Sequence, residues 1–102
     1  MVHVIAVITA KPGMRNAVLE AFRSNVPAVK AEAGCIEYGA AVDLADGPGF
    51  QKKYGDDTFV AIEKWESFAA LKAHAAAPHM AAYGAKTKEM IASRVIHILS
   101  PA

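Results

Sequence analysis

His74 and Glu63 are the two side chains of this sequence best suited to acid–base chemistry. Imidazole titrates near neutral pH, so His74 is a candidate general base. Glu63 lies among apolar residues, where a carboxylate is rare unless it is paired or protonated. It is therefore a candidate base, or a residue that orients a histidine. Each also has a structural interpretation: His74 as a solvent-facing helix residue, and Glu63 as half of an ion pair at a strand end.

Several aromatic and imidazole side chains could form a flat pocket beside this pair. Phe59 and Trp65 share one face of a predicted strand, and Tyr38 lies on another predicted strand. His79 and Tyr83 are one helical turn apart, so their side chains could meet on a phenolic oxygen. Ordinary core packing would explain Trp65 and Tyr38 as well, and His79 could simply lie on the surface.

The sequence carries no sign of a metal, a nucleotide or a flavin. Its four histidines do not have the short spacings typical of metal ligands. No glycine-rich loop follows a predicted strand. We therefore expect no metal site and no cofactor, so any reaction with O2 would have to take its electrons from the substrate.

Composition restricts the class of protein. With 102 residues and no shift in composition, the chain is predicted to be one domain spanning residues 1–102. Its 11 basic and 10 acidic side chains form no basic stripe, which argues against a nucleic-acid partner. No apolar run is long enough to cross a membrane. The single cysteine, Cys35, suits a reducing compartment, and we expect a cytoplasmic protein without a leader peptide.

Apolar periodicity predicts four strands and the helices between them. The predicted strands cover residues 2–10, 35–42, 58–65 and 94–99. Helical spacing predicts a helix over residues 14–33, which Pro27 should kink near Arg23 or split in two. It also predicts one helix from the N-cap Ser67 to residue 77 and a last helix that begins at Pro78. The order βαββαβ indicates an α+β, ferredoxin-like fold, with a four-stranded antiparallel sheet and helices on one face.

The predicted strands are apolar on both faces, which a two-layer domain does not require. In the third strand, Phe59 faces one way while Val60 and Ile62 face the other. The chain has no helix to spare for the second face, so we expect a homodimer formed sheet to sheet. The polar connection from Asp43 to Asp57 could cap a pocket or reach the partner subunit.

Four short motifs together resemble the antibiotic biosynthesis monooxygenase domain. They are AKPG after the first strand, AGCIEY entering the second, EKWESFAALKAH around the third, and APHM at the start of the last helix. The similarity runs from Val2 to about Leu99. The resemblance implies a dimeric α+β barrel with a cavity between sheet and helices. It also implies cofactor-free oxygenation of quinols or polycyclic hydroxyaromatics, or degradation of haem.

Departures from the family's motifs narrow these implied activities. Haem-degrading members resemble this chain in fold, but they use an Asn, a second Trp and an iron-binding His where this sequence has Ala6, His74 and Gly84. Polyketide anthrone oxidases carry an Asn and a Tyr where this sequence has Ala61 and Leu71. The sequence resembles the quinol-oxidising branch most closely, because that branch shares its pattern of a helix His followed by Pro-His.

The residues and the resemblance together predict a cofactor-independent monooxygenase that oxidises a quinol or another small hydroxyaromatic compound with O2. His74 would be the base, Glu63 would orient it, and Trp65 and Tyr38 would form walls, with the remaining pocket candidates as further contacts. Two alternatives stay open. One is a non-catalytic module that binds a small aromatic compound, as in a stress response, and the other is an isomerase or lyase.

Overall fold

Four strands and three α-helices follow one another in the computed structural model, which describes all residues from 1 to 102. The elements are β1 Val2–Ala10, α1 Arg15–Lys30, β2 Cys35–Ala41, β3 Thr58–Trp65, α2 Phe68–Ala75, α3 Pro78–Thr87, a 3-10 turn Lys88–Met90 and β4 Ile91–Leu99. The predicted βαββαβ order is confirmed. The last strand begins three residues earlier than predicted, because the 3-10 turn leads directly into it.

The strands form one antiparallel sheet in the order β2-β3-β1-β4. In its register, Val4 of β1 pairs with Glu63 of β3 and Ile98 of β4, while Ile8 pairs with Arg94. Alternate residues of β1, beginning at Val4, are buried under the helices, and those between them are only half-buried. The ferredoxin-like α+β fold predicted from the sequence is confirmed.

Aromatic packing fixes α1 on the sheet. The ring of Phe22 stacks on Tyr38 of β2 with centroids 5.0 Å apart, and it meets Phe59 of β3 edge-on at 5.6 Å. Val18 and Val29, on the same side of the helix, are fully buried. Burying such rings and branched side chains is the main favourable term in folding. α1 runs through Pro27 as one helix, so of the two expected outcomes the split does not occur. The burial of this face offsets the backbone hydrogen bond that the proline removes.

Gly34 sets the entry to β2 and the position of α2. Its φ of +84° is a left-handed conformation that favours glycine. A Cβ at this position would also lie 2.6 Å from the Cβ of Ala70, so α2 approaches the backbone closely here. Ser67 then caps α2 as predicted, because its hydroxyl accepts a hydrogen bond from the Ala70 N–H at 3.1 Å.

The other face of the sheet carries no helix. Its central residues, Ile5, Val7, Val60 and Ile62, are half-buried, and β4 is exposed along most of its length. None of the helices has the length and apolar character needed to cross a membrane.

Candidate functional site

A cavity of about 440 Å³ lies between the helix-covered face of the sheet and helices α2 and α3. The floor of the cavity carries only short side chains, because Ala6 and Ala61 pair with each other there on adjacent strands. Leu71 of α2, Met80 of α3 and Ile96 of β4 contribute to its mostly apolar walls. A concave, largely apolar space of this size is typical of sites for small organic ligands.

Four of the seven predicted site residues line this cavity: His74, Glu63, Tyr38 and Tyr83. Trp65 and Phe59 lie behind the wall and are fully buried. The rings of Trp65 and His74 pack against each other with centroids 4.6 Å apart, so Trp65 supports the cavity without lining it. His79 also lies outside the lining, on the far side of His74 with ring centroids 6.4 Å apart.

His74 is held in one orientation by its neighbours. Its Nδ1 lies 2.8 Å from Oε2 of Glu32, which is a short hydrogen bond to a carboxylate. The ring also packs edge-on against Tyr38, with centroids 5.5 Å apart, and His74 is only 4% exposed. Because the carboxylate can only accept, Nδ1 carries a proton, and this assignment leaves the lone pair on Nε2 when the ring is neutral. Such a nitrogen, on a residue that lines the cavity, can accept a proton from a ligand.

Glu32 is a functional candidate that the sequence analysis missed. It follows the end of α1 by two residues, a position where a polar side chain usually faces solvent, so the sequence holds no clear signal for it. Its Oε2 also lies 3.3 Å from Nε2 of His79, although that approach is not aligned for a hydrogen bond. Asn25 contacts the other nitrogen of His79 at 3.2 Å. No three histidine, cysteine or acidic side chains are placed to share a metal ion.

Glu63 has a different partner from the one expected. Its Oε1 accepts a hydrogen bond from the indole N–H of Trp65 at 3.0 Å, and the carboxylate that orients His74 is that of Glu32. Burial raises the pKa of Glu63, while the Trp65 hydrogen bond and nearby His74 partly oppose this rise. A buried carboxyl with a raised pKa can donate a hydrogen bond to a ligand when protonated and accept a proton when ionised.

Two tyrosine hydroxyls and two cations complete the polar groups of the cavity. Burial raises the pKa of both Tyr38 and Tyr83, so both phenols stay neutral at ordinary pH. The hydroxyl of Tyr83 is buried and has no hydrogen-bond partner. Lys72 and Arg94 line the cavity from exposed positions on α2 and β4. The sequence analysis did not select either cation, although alternation along β4 places Arg94 on the same face as Ile96.

The connection from Asp43 to Asp57 does not contribute to this cavity. Its conformation is held by the Asp43 carboxylate, which accepts hydrogen bonds from the backbone N–H groups of Tyr54 and Gly55 at 3.0 and 2.9 Å. These bonds also hold the pKa of Asp43 below its usual value. Leu44 and Tyr54 instead line a smaller hollow beside β3. Within this chain the loop therefore does not cap the site.

Comparison with known proteins identifies the family that this sequence matches. The model of the family described as antibiotic biosynthesis monooxygenase matches residues 1–86. Over 103 aligned residues the chain is 45% identical to the Escherichia coli (strain K12) protein named "Probable quinol monooxygenase YgiN", which covers 99% of this chain and 98% of that protein.

Solved structures give the same fold. PA3566 from Pseudomonas aeruginosa superimposes with a TM-score of 0.81 at 29% identity, covering 99% of this chain and 93% of that one. Rv0793 from Mycobacterium tuberculosis does so with a TM-score of 0.80 at 27% identity, covering 99% and 94% of the two chains.

Proposed function

The chain belongs to the antibiotic biosynthesis monooxygenase family, and we propose that it oxidises a quinol or another small hydroxyaromatic compound with O2. The observation that carries this proposal is the pairing of His74 with Glu32 at the wall of an apolar cavity. The name of the Escherichia coli relative, a quinol monooxygenase, supports the same substrate class.

The reaction begins with a proton transfer. A phenolic hydroxyl placed against His74 gives its proton to Nε2, and the Glu32 carboxylate stabilises the imidazolium that forms. Glu63 lies on the strand facing this histidine and can hold the oxygen or a second hydroxyl of the ring. His74 and Glu63 are thus the catalytic residues we propose, with Glu32 as a positioning residue.

The resulting phenolate is the electron donor to O2. Removing the proton raises the energy of the ring electrons, so that one electron can pass to O2 without a cofactor. In a complete monooxygenation, a substrate that loses two hydrogens and gains one oxygen atom supplies four electrons, and the other oxygen atom leaves as water. The mostly apolar walls, among them Leu71 and Ile96, keep bulk water from the reactive intermediate. Tyr38 and Tyr83 line the ligand space. Trp65 packs against His74, Phe59 packs against the lining residue Phe22, and His79 lies outside the lining beside Glu32.

The working unit in this proposal is a homodimer formed through the open face of the sheet, which is the face that carries no helix. The central positions of that face are all apolar, and their side chains, among them Val60 and Ile62, are only half-buried in a single chain. A face of this kind is stabilised when a second copy covers it. The 43–57 connection lies beside the same residues, which supports a role for it at the subunit contact.

Oxygen uptake with a panel of hydroquinones tests the proposed activity. We expect uptake above the rate of autoxidation in buffer, loss of that excess in His74→Ala, and incorporation of one labelled atom from isotopic O2 into the product. Uptake equal to buffer across the panel would overturn the proposal. If the same compounds then raise the melting temperature, the protein binds aromatic ligands without oxidising them. If labelled oxygen appears only in hydrogen peroxide, the protein is an oxidase rather than a monooxygenase.

A further inference from the structure

We propose that Tyr83 and Arg94 form a second polar subsite of the cavity, which binds a carboxylate on the aromatic substrate. The proposal rests on the function proposed above and narrows its substrate class to hydroxyaromatic acids. It places the phenolic oxygen at His74 and the acid group at the other end of the alanine floor.

The register of the sheet separates the two ends. Glu63 pairs with Val4 of β1, whereas Arg94 pairs with Ile8, four residues further along the same strand. At roughly 3.3 Å per residue along the strand and about 4.8 Å between neighbouring strands, Glu63 on β3 and Arg94 on β4 are about 16 Å apart at the backbone, and both line the cavity with Ala6 between them on β1. A single substituted aromatic ring fits between groups placed in this way.

Tyr83 is the buried part of the subsite. The residue is 9% exposed, lines the cavity, and has a hydroxyl with no hydrogen-bond partner in the protein. Buried polar groups in native proteins almost always have a partner, so the missing partner of this hydroxyl, on a residue that lines the cavity, is assigned to the ligand. Phe22 packs edge-on against this ring, with centroids 6.3 Å apart, and holds it in place.

Arg94 is the charged part of the subsite. Its guanidinium forms no ion pair and no hydrogen bond within the chain, although it lines a mostly apolar cavity. Its charge lies close enough to Tyr83 to oppose the rise that burial causes in the pKa of that phenol. Lys72 on α2 adds a second positive charge elsewhere in the lining, whereas burial favours the neutral form of Glu63, the one carboxyl there. The lining therefore carries a net positive charge.

A carboxylate matches these groups better than a larger anion. A guanidinium presents paired N–H donors that fit the two oxygens of a carboxylate, and a phenol supplies one further donor. The rest of the wall near Arg94, including Ile8 and Ile96, is apolar and offers no donors for the additional oxygens of a phosphate.

Anaerobic binding of two matched ligands tests the subsite independently of turnover. The probes are 4-hydroxybenzoate and the neutral 4-hydroxybenzamide, titrated calorimetrically into the full-length protein. We expect the acid to bind at least about tenfold more tightly, and the preference to shrink as ionic strength rises. Arg94→Gln should abolish the preference, because the acid loses more affinity than the amide does, and Arg94→Lys should keep part of it. Lys86→Gln, at an exposed position of α3 outside the cavity, is the control and should leave it intact.

Several outcomes would overturn the subsite. The subsite is wrong if the wild type binds the two probes with equal affinity or binds neither of them. It is also wrong if the preference for the acid survives in Arg94→Gln. A change in oligomeric state of Arg94→Gln without a change in preference would assign Arg94 to a subunit contact instead. Oxygen uptake is measured separately with 2,5-dihydroxybenzoate and its amide. A preference for the acid without any oxygen uptake would support the subsite and reject the monooxygenase proposal. Oxygen uptake together with equal affinities for the two probes would support the monooxygenase proposal and reject the subsite.

Discussion

The imidazole of His74 and the carboxylate of Glu32 meet at 2.8 Å although they are 42 positions apart in sequence. The contact joins the segment after α1 to the end of α2, and it lies against Trp65 and Tyr38. A carboxylate on Nδ1 fixes both the tautomer and the direction of the ring, which is the arrangement by which a histidine acts as a base at its other nitrogen. The acid–base role proposed for His74 therefore depends on Glu32 as well.

Removing either member of this pair is expected to lower turnover by different amounts. His74→Ala removes the base and should reduce kcat/KM by about 10²–10⁴-fold. Glu32→Gln keeps the shape but loses the negative charge, so it should lower kcat by about tenfold or more while the dissociation constant for 4-hydroxybenzamide stays the same. Steady-state kinetics measures the turnover parameters, and anaerobic titration measures the dissociation constant.

The matched control for this pair is Glu20→Gln, an exposed glutamate on α1. It should change neither kcat nor ligand affinity. If Glu32→Gln lowers the melting temperature but leaves kcat intact, the contact with His74 is structural, and the role proposed for Glu32 is wrong.

The buried carboxyl of Glu63 makes stability depend on pH in a defined direction. Its pKa is raised on folding, so the folded state holds its proton more tightly than the unfolded state does. Stability from this group is therefore fully present at low pH and is lost as pH rises from the unfolded pKa through the folded pKa. Glu63→Gln keeps an acceptor for the Trp65 N–H and removes the titration.

The melting temperature of Glu63→Gln minus that of the wild type should therefore be larger at about pH 8 than at about pH 4. The exposed Glu66→Gln should show no such trend, which controls for general effects of acid. A constant difference for Glu63→Gln across this range would mean that Glu63 titrates normally in the folded protein.

The strand that carries part of the site could be predicted from the sequence because strict alternation determines its faces. Phe59, Ala61, Glu63 and Trp65 all lie on the helix-covered side, as predicted. The helix that follows could be predicted from the cap at Ser67, and it places His74 at the cavity. Short-range patterns therefore locate the elements and half of the site.

The partners within the site depend on tertiary geometry that no local pattern encodes. Glu32 follows a helix end, and it reaches His74 because Gly34 adopts a left-handed conformation that brings the segment against α2. Nothing in the spacing of these residues distinguishes Glu32 from a solvent-facing glutamate. Sequence analysis chose Glu63 as the partner of His74 because Glu63 is a carboxylate on an apolar strand face and the helix that carries His74 begins just after that strand. In the structure, Glu63 is turned toward Trp65.

Gly84 of α3 offers a way to fill the cavity without disturbing the sheet. It lines the cavity, and a Cβ at this position would meet no atom within 4 Å. Gly84→Ala should raise the free energy of unfolding by about 0.5–1 kcal/mol, because alanine is the better helix former. Gly84→Met should instead occupy ligand space and weaken binding of 4-hydroxybenzamide by about tenfold or more.

Ala85→Met, at the next and exposed position of the same helix, is the control for Gly84→Met and should leave affinity unchanged. Chemical denaturation measures the stability change, and anaerobic titration measures the affinity. Unchanged affinity in a folded Gly84→Met protein would place the ligand outside this cavity.

The open face of the sheet provides the test of the proposed homodimer. Ile62 pairs with Ile5 at the centre of that face, so Ile62→Lys would place a charge in the sheet-to-sheet contact. An unpaired charge in an apolar interface is costly, and we expect the variant to be monomeric or aggregated where the wild type is a dimer. Ile36→Lys makes the same substitution on β2 at a side chain that is 50% exposed, and it should leave the dimer intact. Sedimentation of the two variants and the wild type at several concentrations decides between them. A stable dimer of Ile62→Lys would show that the subunits meet elsewhere, and a wild type that sediments as a monomer would exclude the dimer altogether.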